Sequence, residues 1–151
     1  MRVVKLYTIG FTQRTAANFF ATLREAEVNT VLDTRVHRDG QLSGFAKVPD
    51  LPYFLSELAG SGYKAAPILA PTAPLLKAYR NKELPWDEYA QSYLQLLDER
   101  KPERELDPAD LDRACLLCSE RAPRKCHRRL AAEYLQRAFA PSQHIEIVHL
   151  E

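Results

Sequence analysis

The turn from Cys118 to Arg128 holds the residues of this sequence best suited to chemistry. Cys118 and Glu120 end an apolar run, and Cys126, His127 and Arg128 open a predicted helix. A helix start presents free backbone N–H groups and the positive end of the helix dipole, and neighbouring Arg and Lys side chains add to that potential. The turn therefore predicts an anion site, with Arg128 holding the anion, Cys118 as candidate nucleophile and Glu120 as acid or base.

Two familiar kinds of site fit this turn less well. Cys118 and Arg124 have the Cys-x5-Arg spacing of a cysteine-dependent phosphatase, but Glu120 would repel an anion and Pro123 lacks a donor N–H. Cys115 and Cys118 do not form a zinc knuckle, because alternation along a strand sends their side chains to opposite faces. Thiol-phosphatase chemistry and structural zinc are therefore disfavoured.

No metal and no cofactor are assigned from the sequence. A mononuclear ion held by Cys118 or His127 together with Asp33 or Glu120 stays open, because these are ligand types of borderline metals. The alternative is that the cysteines pack as small apolar groups and the cations are merely solvated.

Further polar residues follow two other predicted strands. Thr8 and Gly10 end the first strand, and Asp33 and Arg35 end the second. Ligands of open parallel sheets bind outside the carboxyl ends of the strands, so we expect these residues at the same rim as Cys118. Asp33 is a candidate acid or base and Arg35 a candidate anion ligand, although an Asp33–Arg35 ion pair that supports the loop is an equal alternative.

Hydrophobic periodicity predicts the elements that must position these groups. Asp50 is the expected N-cap of the second helix. Trp86, Tyr89 and Tyr93 are expected in the core or on a helix-packing surface rather than as a platform that stacks bases. The order of elements predicts a three-layer α/β fold with a largely parallel sheet of about five strands flanked by helices. The predicted strands cover 3–9, 30–32, 63–69, 114–118 and 144–150, and the helices cover 16–27, 50–59, 74–81, 86–100 and 126–139.

Length, composition and net charge limit the classes of protein to which this chain can belong. A chain of 151 residues with 46% hydrophobic residues can bury one core, so 1–151 is predicted to be a single domain. The formal net charge of +1 provides no global basic field, which argues against nucleic acid and makes any anion site local. We expect no signal peptide, no membrane segment and a cytoplasmic location. The three cysteines, crowded into twelve residues, are a poor disulfide framework and fit a reducing compartment.

Six motifs stand out along the chain, at 8–12, 32–35, 41–47, 116–120, 126–129 and 147–150. Together they resemble the bacterial and archaeal family numbered 488 among domains of unknown function. The resemblance runs through the whole chain and implies a compact α/β domain whose motifs gather at one site, with no assigned reaction. One departure stands out: Ala66 and Ile68 occupy positions where similar sequences tend to carry His and Glu.

Three functions remain open at this point, and whether the protein is an enzyme is not decided. The favoured one is a domain that binds or acts on a small anionic ligand, phosphate- or nucleotide-like, at the C-terminal edge of its sheet. The alternatives are a nucleic-acid-associated domain that uses the basic turn and residues 40–47, and a protein-interaction module without catalysis. In the last case Asp33, Glu120 and Arg128 would be buried and paired with no cavity beside them.

Overall fold

The computed structural model describes residues 3–39, 44–120 and 122–151. They form one five-stranded sheet in which every pair of neighbouring strands is parallel. In chain order the strands are β1 (Val3–Gly10), β2 (Thr30–Asp33), β3 (Gly62–Ala65), β4 (Ala114–Cys118) and β5 (His144–His149). Across the sheet the order is β3-β2-β4-β1-β5. The predicted parallel sheet of about five strands is confirmed.

Helices cover both faces of this sheet, as the three-layer prediction requires. They are α1 (Ala16–Glu25), α2 (Asp50–Phe54), α3 (Ala73–Arg80), α4 (Trp86–Arg100) and α5 (His127–Phe139). On one face, Phe19 of α1 and Leu51 of α2 share a core with Leu117. On the other face, α4 and α5 pack against Leu116, and α3 packs on α4. None of the helices in the described part of the chain is long and apolar enough to cross a membrane.

Strand β4 is the centre of the sheet because its sequence is apolar on both faces. All five of its residues are buried, and successive side chains enter the two cores in turn. Its last residue, Cys118, lies opposite Gly10 of β1, and Leu117 lies opposite Asp33 of β2. The register therefore brings the carboxyl ends of these three strands to the same edge.

The chain leaves β1 and β4 in opposite directions. From β1 it crosses β4 to reach β2, and from β4 it crosses β1 to reach β5. Such a reversal between adjacent strands opens a crevice at their carboxyl ends, and this crevice is where ligands bind in open α/β sheets. Gly10 and Cys118 therefore flank the expected binding position.

Two local expectations were wrong. Asp50 is not the N-cap of α2 but its first residue, and Pro49, which precedes it, makes no side-chain cap. The third strand does not run to residue 69: it ends at Ala65, and Pro67, which has no N–H to donate to a ladder, begins a 3-10 turn to Leu69.

Beyond Phe54 the second helix continues to Ala59 with π-type hydrogen bonds. Of residues 40–47, 40–43 lie outside the described residues, and Gly44–Ala46 form a 3-10 turn.

Candidate functional site

Cys118 and Cys126 meet at the crevice between β1 and β4. Cys118 ends β4, Cys126 is the N-cap residue of α5, and their sulfur atoms are joined as a disulfide. Their Cα atoms are 7.7 Å apart. The sequence did not predict this pairing, because three clustered cysteines do not form a regular disulfide framework. Cys115 is a free, buried thiol in the opposite core.

His127, the first residue of α5, completes a buried group with the two cysteines. One ligand atom from each of Cys118, Cys126 and His127 lies within 4.8 Å of the others. The Nε2 atom of His127 is 2.8 Å from the carbonyl oxygen of Thr34. A carbonyl can only accept, so Nε2 carries the hydrogen and the Nδ1 lone pair is free of a proton in the neutral ring. Burial lowers the pKa of His127 to about 4, which keeps the ring neutral near pH 7.

Arg128 lies beneath Cys118 and not at the surface. Its side chain is fully buried, and Nη1 donates to Cys118 Sγ at 3.3 Å and to the carbonyl oxygen of Glu120. Burial lowers the pKa of Arg128 to about 10, so the guanidinium stays charged at neutral pH. Arg128 thus places a positive charge directly behind the sulfur of Cys118.

Asp33 and Arg35 bind each other. Arg35 donates from Nε to Oδ1 and from Nη2 to Oδ2, each at 2.9 Å, and its backbone N–H donates to Oδ1 at 3.1 Å. The hydroxyl of Tyr63 donates to Oδ2 at 2.7 Å, and burial together with this carboxylate raises the pKa of Tyr63. Both members of the pair are buried. Of the two sequence interpretations, the ion pair is present in the structure, and the carboxylate is occupied by these donors.

Thr8 and Gly10 help to join the loops that surround the crevice. Thr8 is buried, with Oγ1 at 2.6 Å from Nδ1 of His149, whose pKa is lowered by burial and by the charge of Arg128. The carbonyl of Gly10 accepts from Nε of Arg14 at 2.6 Å. Sequence reasoning missed Arg14, although it is the first cation after β1. It is buried and also donates to the carbonyl of Leu150, so it links the ends of β1 and β5.

A small cavity of about 40 Å³ lies beside the cysteines. Cys118, Cys126 and His127 line it together with Tyr79 and Tyr89, whose rings stack at 4.7 Å. Three exposed charged residues also line it: Arg80, Glu120 and Lys125. One water molecule needs roughly 10–15 Å³ of such space, so this cavity admits a few water molecules or a small oxyanion.

A larger open groove adjoins this cavity and shares Leu76 and Arg80 with it. The groove measures about 610 Å³ and is also lined by His37, Lys77 and Asn81. Lys77 and Arg80 are three residues apart on α3, so they lie on the same side of the helix. The spacing of Lys77 and Arg80 is the sequence signal that could have assigned them to the site. They were not singled out, because pairs of cations at this spacing are common on solvent-exposed helices.

The positions of Ala66 and Ile68 are separate from the cysteine cavity. Ala66 follows β3 and donates its backbone N–H to the carbonyl of Asp33, and both residues line a different groove of about 380 Å³. Neither is among the described residues that line the cavity beside Cys118. The departure from similar sequences therefore does not alter that cavity.

Comparison with protein families gives one finding. A family model described as "Domain of unknown function DUF488" matches residues 15–135. The matched range contains α1 to α4 and most of α5, together with Asp33, Cys118 and His127. Comparisons with curated proteins and with solved structures give no match.

Proposed function

The chain belongs to the family described as domain of unknown function DUF488, and from that premise we propose that it binds a small anionic molecule, phosphate- or nucleotide-like, at the C-terminal edge of its sheet. The observation that best supports this proposal is the cavity beside Cys118, Cys126 and His127. It lies where the chain connections leave β1 and β4 in opposite directions. Ligands of this fold class bind at that position because the loops diverge there.

The charges around the cavity favour an anion. Arg80 and Lys125 contribute positive charge to its lining and Glu120 contributes one negative charge. Behind the floor, Arg128 adds a buried cation, and Arg14 is near enough that its charge lowers the pKa of Arg128. Buried charges are weakly screened, so these guanidinium groups strengthen the positive potential that an entering anion meets.

The two volumes suit a ligand with an anionic head and a larger body. An oxyanion-sized group fits the cavity of about 40 Å³, and the adjoining groove of about 610 Å³ is within the usual range for small-molecule sites. Lys77 and Arg80 would then bind further anionic groups in the groove. In this proposal Arg80 and Lys125 hold the ligand, whereas Arg128 acts from behind Cys118 and not by direct contact.

The roles predicted for the carboxylates change accordingly. Glu120 is exposed in the cavity lining, so it is our candidate acid or base. Asp33 and Arg35 are assigned to support of the rim, because they are buried and paired with each other. Cys118 stays the candidate nucleophile if the ligand reacts, provided that its disulfide to Cys126 is reduced. We place the protein in the cytoplasm, where a reducing potential would open the Cys118–Cys126 disulfide to free thiols.

The proposal is tested by calorimetric titration of the reduced protein with adenosine monophosphate and with inorganic phosphate. Arg80→Gln should weaken binding about tenfold, because a charge-assisted hydrogen bond contributes about 1.5 kcal/mol or more. Arg24→Gln is the matched control: Arg24 is an exposed arginine in the last turn of α1, at the opposite end of the sheet. Absence of binding of both probes, or equal binding by wild type and Arg80→Gln, would refute the proposal.

The two rival functions predict different results. A nucleic-acid-associated domain should shift single- or double-stranded oligonucleotides in a gel at low salt and lose them steeply as salt rises. A non-catalytic interaction module needs Asp33, Glu120 and Arg128 buried without a cavity. Asp33 and Arg128 are buried, but Glu120 is exposed and a cavity lies beside it, so this rival has weaker support.

A further inference from the structure

We propose that Cys118, Cys126 and His127 bind a single zinc ion whose fourth coordination position opens into the cavity beside them. This inference adds a metal centre to the floor of the proposed ligand site. It does not depend on the anion proposal, because the three ligands can hold an ion whether or not an anion binds above it.

The ligand set has the chemistry of a zinc site. Two thiolates and one imidazole are preferred zinc donors, and three protein ligands with an open fourth position are typical of catalytic zinc. Zinc lies about 2.3 Å from sulfur, so two thiolates on one tetrahedral ion are roughly 3.8 Å apart. The three ligand atoms lie within 4.8 Å of one another, which is close to the separation that the ligands of one zinc ion require.

The hydrogen bonding of His127 prepares its ring for a metal. Because Nε2–H is directed at the carbonyl oxygen of Thr34, the lone pair resides on Nδ1. A second-shell carbonyl of this kind fixes the tautomer and the ring orientation of metal-binding histidines. His127 is only 8% exposed, so it is held in a single environment.

Arg128 supplies an outer partner for one of the thiolates. Its Nη1 donates to Cys118 Sγ at 3.3 Å, and a charged donor favours the thiolate form of the sulfur that it contacts. Two thiolates and a divalent cation are neutral together, which avoids the cost of burying uncompensated charge. The Cys118–Cys126 disulfide is first reduced by a cellular dithiol, which is itself oxidised to a disulfide and supplies the two electrons and two protons. Binding of the ion then releases the two thiol protons to solvent, so charge, mass and electrons balance.

The backbone spacing of the two cysteines leaves room for an ion between them once the disulfide is reduced. Disulfides join Cα atoms that are usually about 4.4–6.8 Å apart, whereas the Cα atoms of Cys118 and Cys126 are separated by 7.7 Å. An ion lengthens the path between the sulfur atoms and so suits the wider spacing. The sequence argument against a zinc knuckle is unaffected, since that motif requires four ligands from the protein.

Cobalt substitution provides the test. The full chain is reduced with a phosphine, cleared of metal by chelator, and titrated with Co²⁺ and then with Zn²⁺. We expect one ion per chain, a sulfur-to-cobalt charge-transfer band in the near ultraviolet, and loss of that band when zinc displaces cobalt. If the reduced protein gives no such band and binds no zinc, the inference is overturned.

Variants assign the ligands. Cys126→Ser and His127→Gln should each weaken zinc binding by more than the roughly 10- to 100-fold that is usual for loss of an outer partner. Cys115→Ala is the matched control: Cys115 is buried on the other face of β4 and outside the ligand group, so its loss should leave one zinc per chain. Unchanged zinc affinity in Cys126→Ser would refute the assignment.

Alkylation of the wild type gives a readout that does not require the variants to fold. Zinc should protect Cys118 and Cys126 from a thiol reagent in peptide mass mapping, and protection of neither would contradict the inference. Arg80→Gln separates the two proposals, because it should lose affinity for adenosine monophosphate and keep one zinc. Zinc binding with no anion binding would refute the proposed function alone, and the converse would refute the zinc site alone.

Discussion

At the scale of single residues, burial determines how strongly an ion pair affects the stability of the fold. The Asp33–Arg35 pair is almost fully buried, and its carboxylate also accepts from Tyr63. The Arg113–Glu27 pair has a similar N–O distance of 2.8 Å, but both side chains are largely exposed. Water and salt screen the exposed pair, whereas the buried pair leaves an unmatched charge if one partner is removed.

Removal of the Asp33 charge should therefore be costly. We expect Asp33→Asn to lower the free energy of unfolding by about 3 kcal/mol or more, because Arg35 would stay buried without its carboxylate. Glu27→Gln, the matched control on the exposed pair, should cost less than about 1 kcal/mol. Urea denaturation monitored by circular dichroism measures both values. Equal losses in the two variants would show that Asp33 does not stabilise the rim as described.

At the scale of elements, the site depends on where helices begin and end. Thr72 caps α3 by accepting from Leu75 N–H, and α3 in turn presents Lys77 and Arg80 to the groove. The second helix ends at Gly60, which adopts a left-handed φ of 66°. After it the chain returns through Ser61, whose hydroxyl donates to the Val28 carbonyl, and enters β3.

Gly60 should be more sensitive to substitution than its neighbour Gly62. A Cβ on Gly60 would meet no atom within 4 Å, so the cost of Gly60→Ala comes from its positive φ and should be about 1 kcal/mol. Gly62 has ordinary space for a Cβ and no positive φ, so Gly62→Ala should change stability less. Thermal unfolding of both variants tests this, and a larger loss in Gly62→Ala would contradict the backbone argument.

At the scale of the whole molecule, all five strands belong to one sheet with helices on both faces. Both cores meet at β4, whose alternate residues enter one core or the other. Disruption of either core should therefore disturb the other. We propose on this basis that residues 1–151 fold as one domain.

A single domain should unfold in one cooperative transition. Denaturation of the reduced, metal-free protein should give the same midpoint by far-ultraviolet circular dichroism and by fluorescence of Trp86. The fluorescence reports the start of α4, and the circular dichroism reports all helices. Midpoints that differ clearly would show two independently stable parts and would contradict the single-domain proposal.

The sequence alone determined the order of the elements, the three-layer class and the location of the polar groups at strand ends. These follow from local patterns: the apolar run 114–118 predicted β4 at its observed bounds, and helical spacing predicted 86–100 as it is found. Cys118, Cys126, His127 and Arg128 were singled out for the same reason, since they flank a strand-to-helix turn.

Only the tertiary structure decided how these groups are used. The pairing of Cys118 with Cys126, the direction of His127 toward Thr34 and the placement of Arg128 behind the sulfur depend on how α5 docks on the sheet. The contribution of Arg80 depends on α3, which is distant in sequence and reaches the site through packing on α4. Periodicity records which face of an element is buried, but it carries no information about which distant element covers that face.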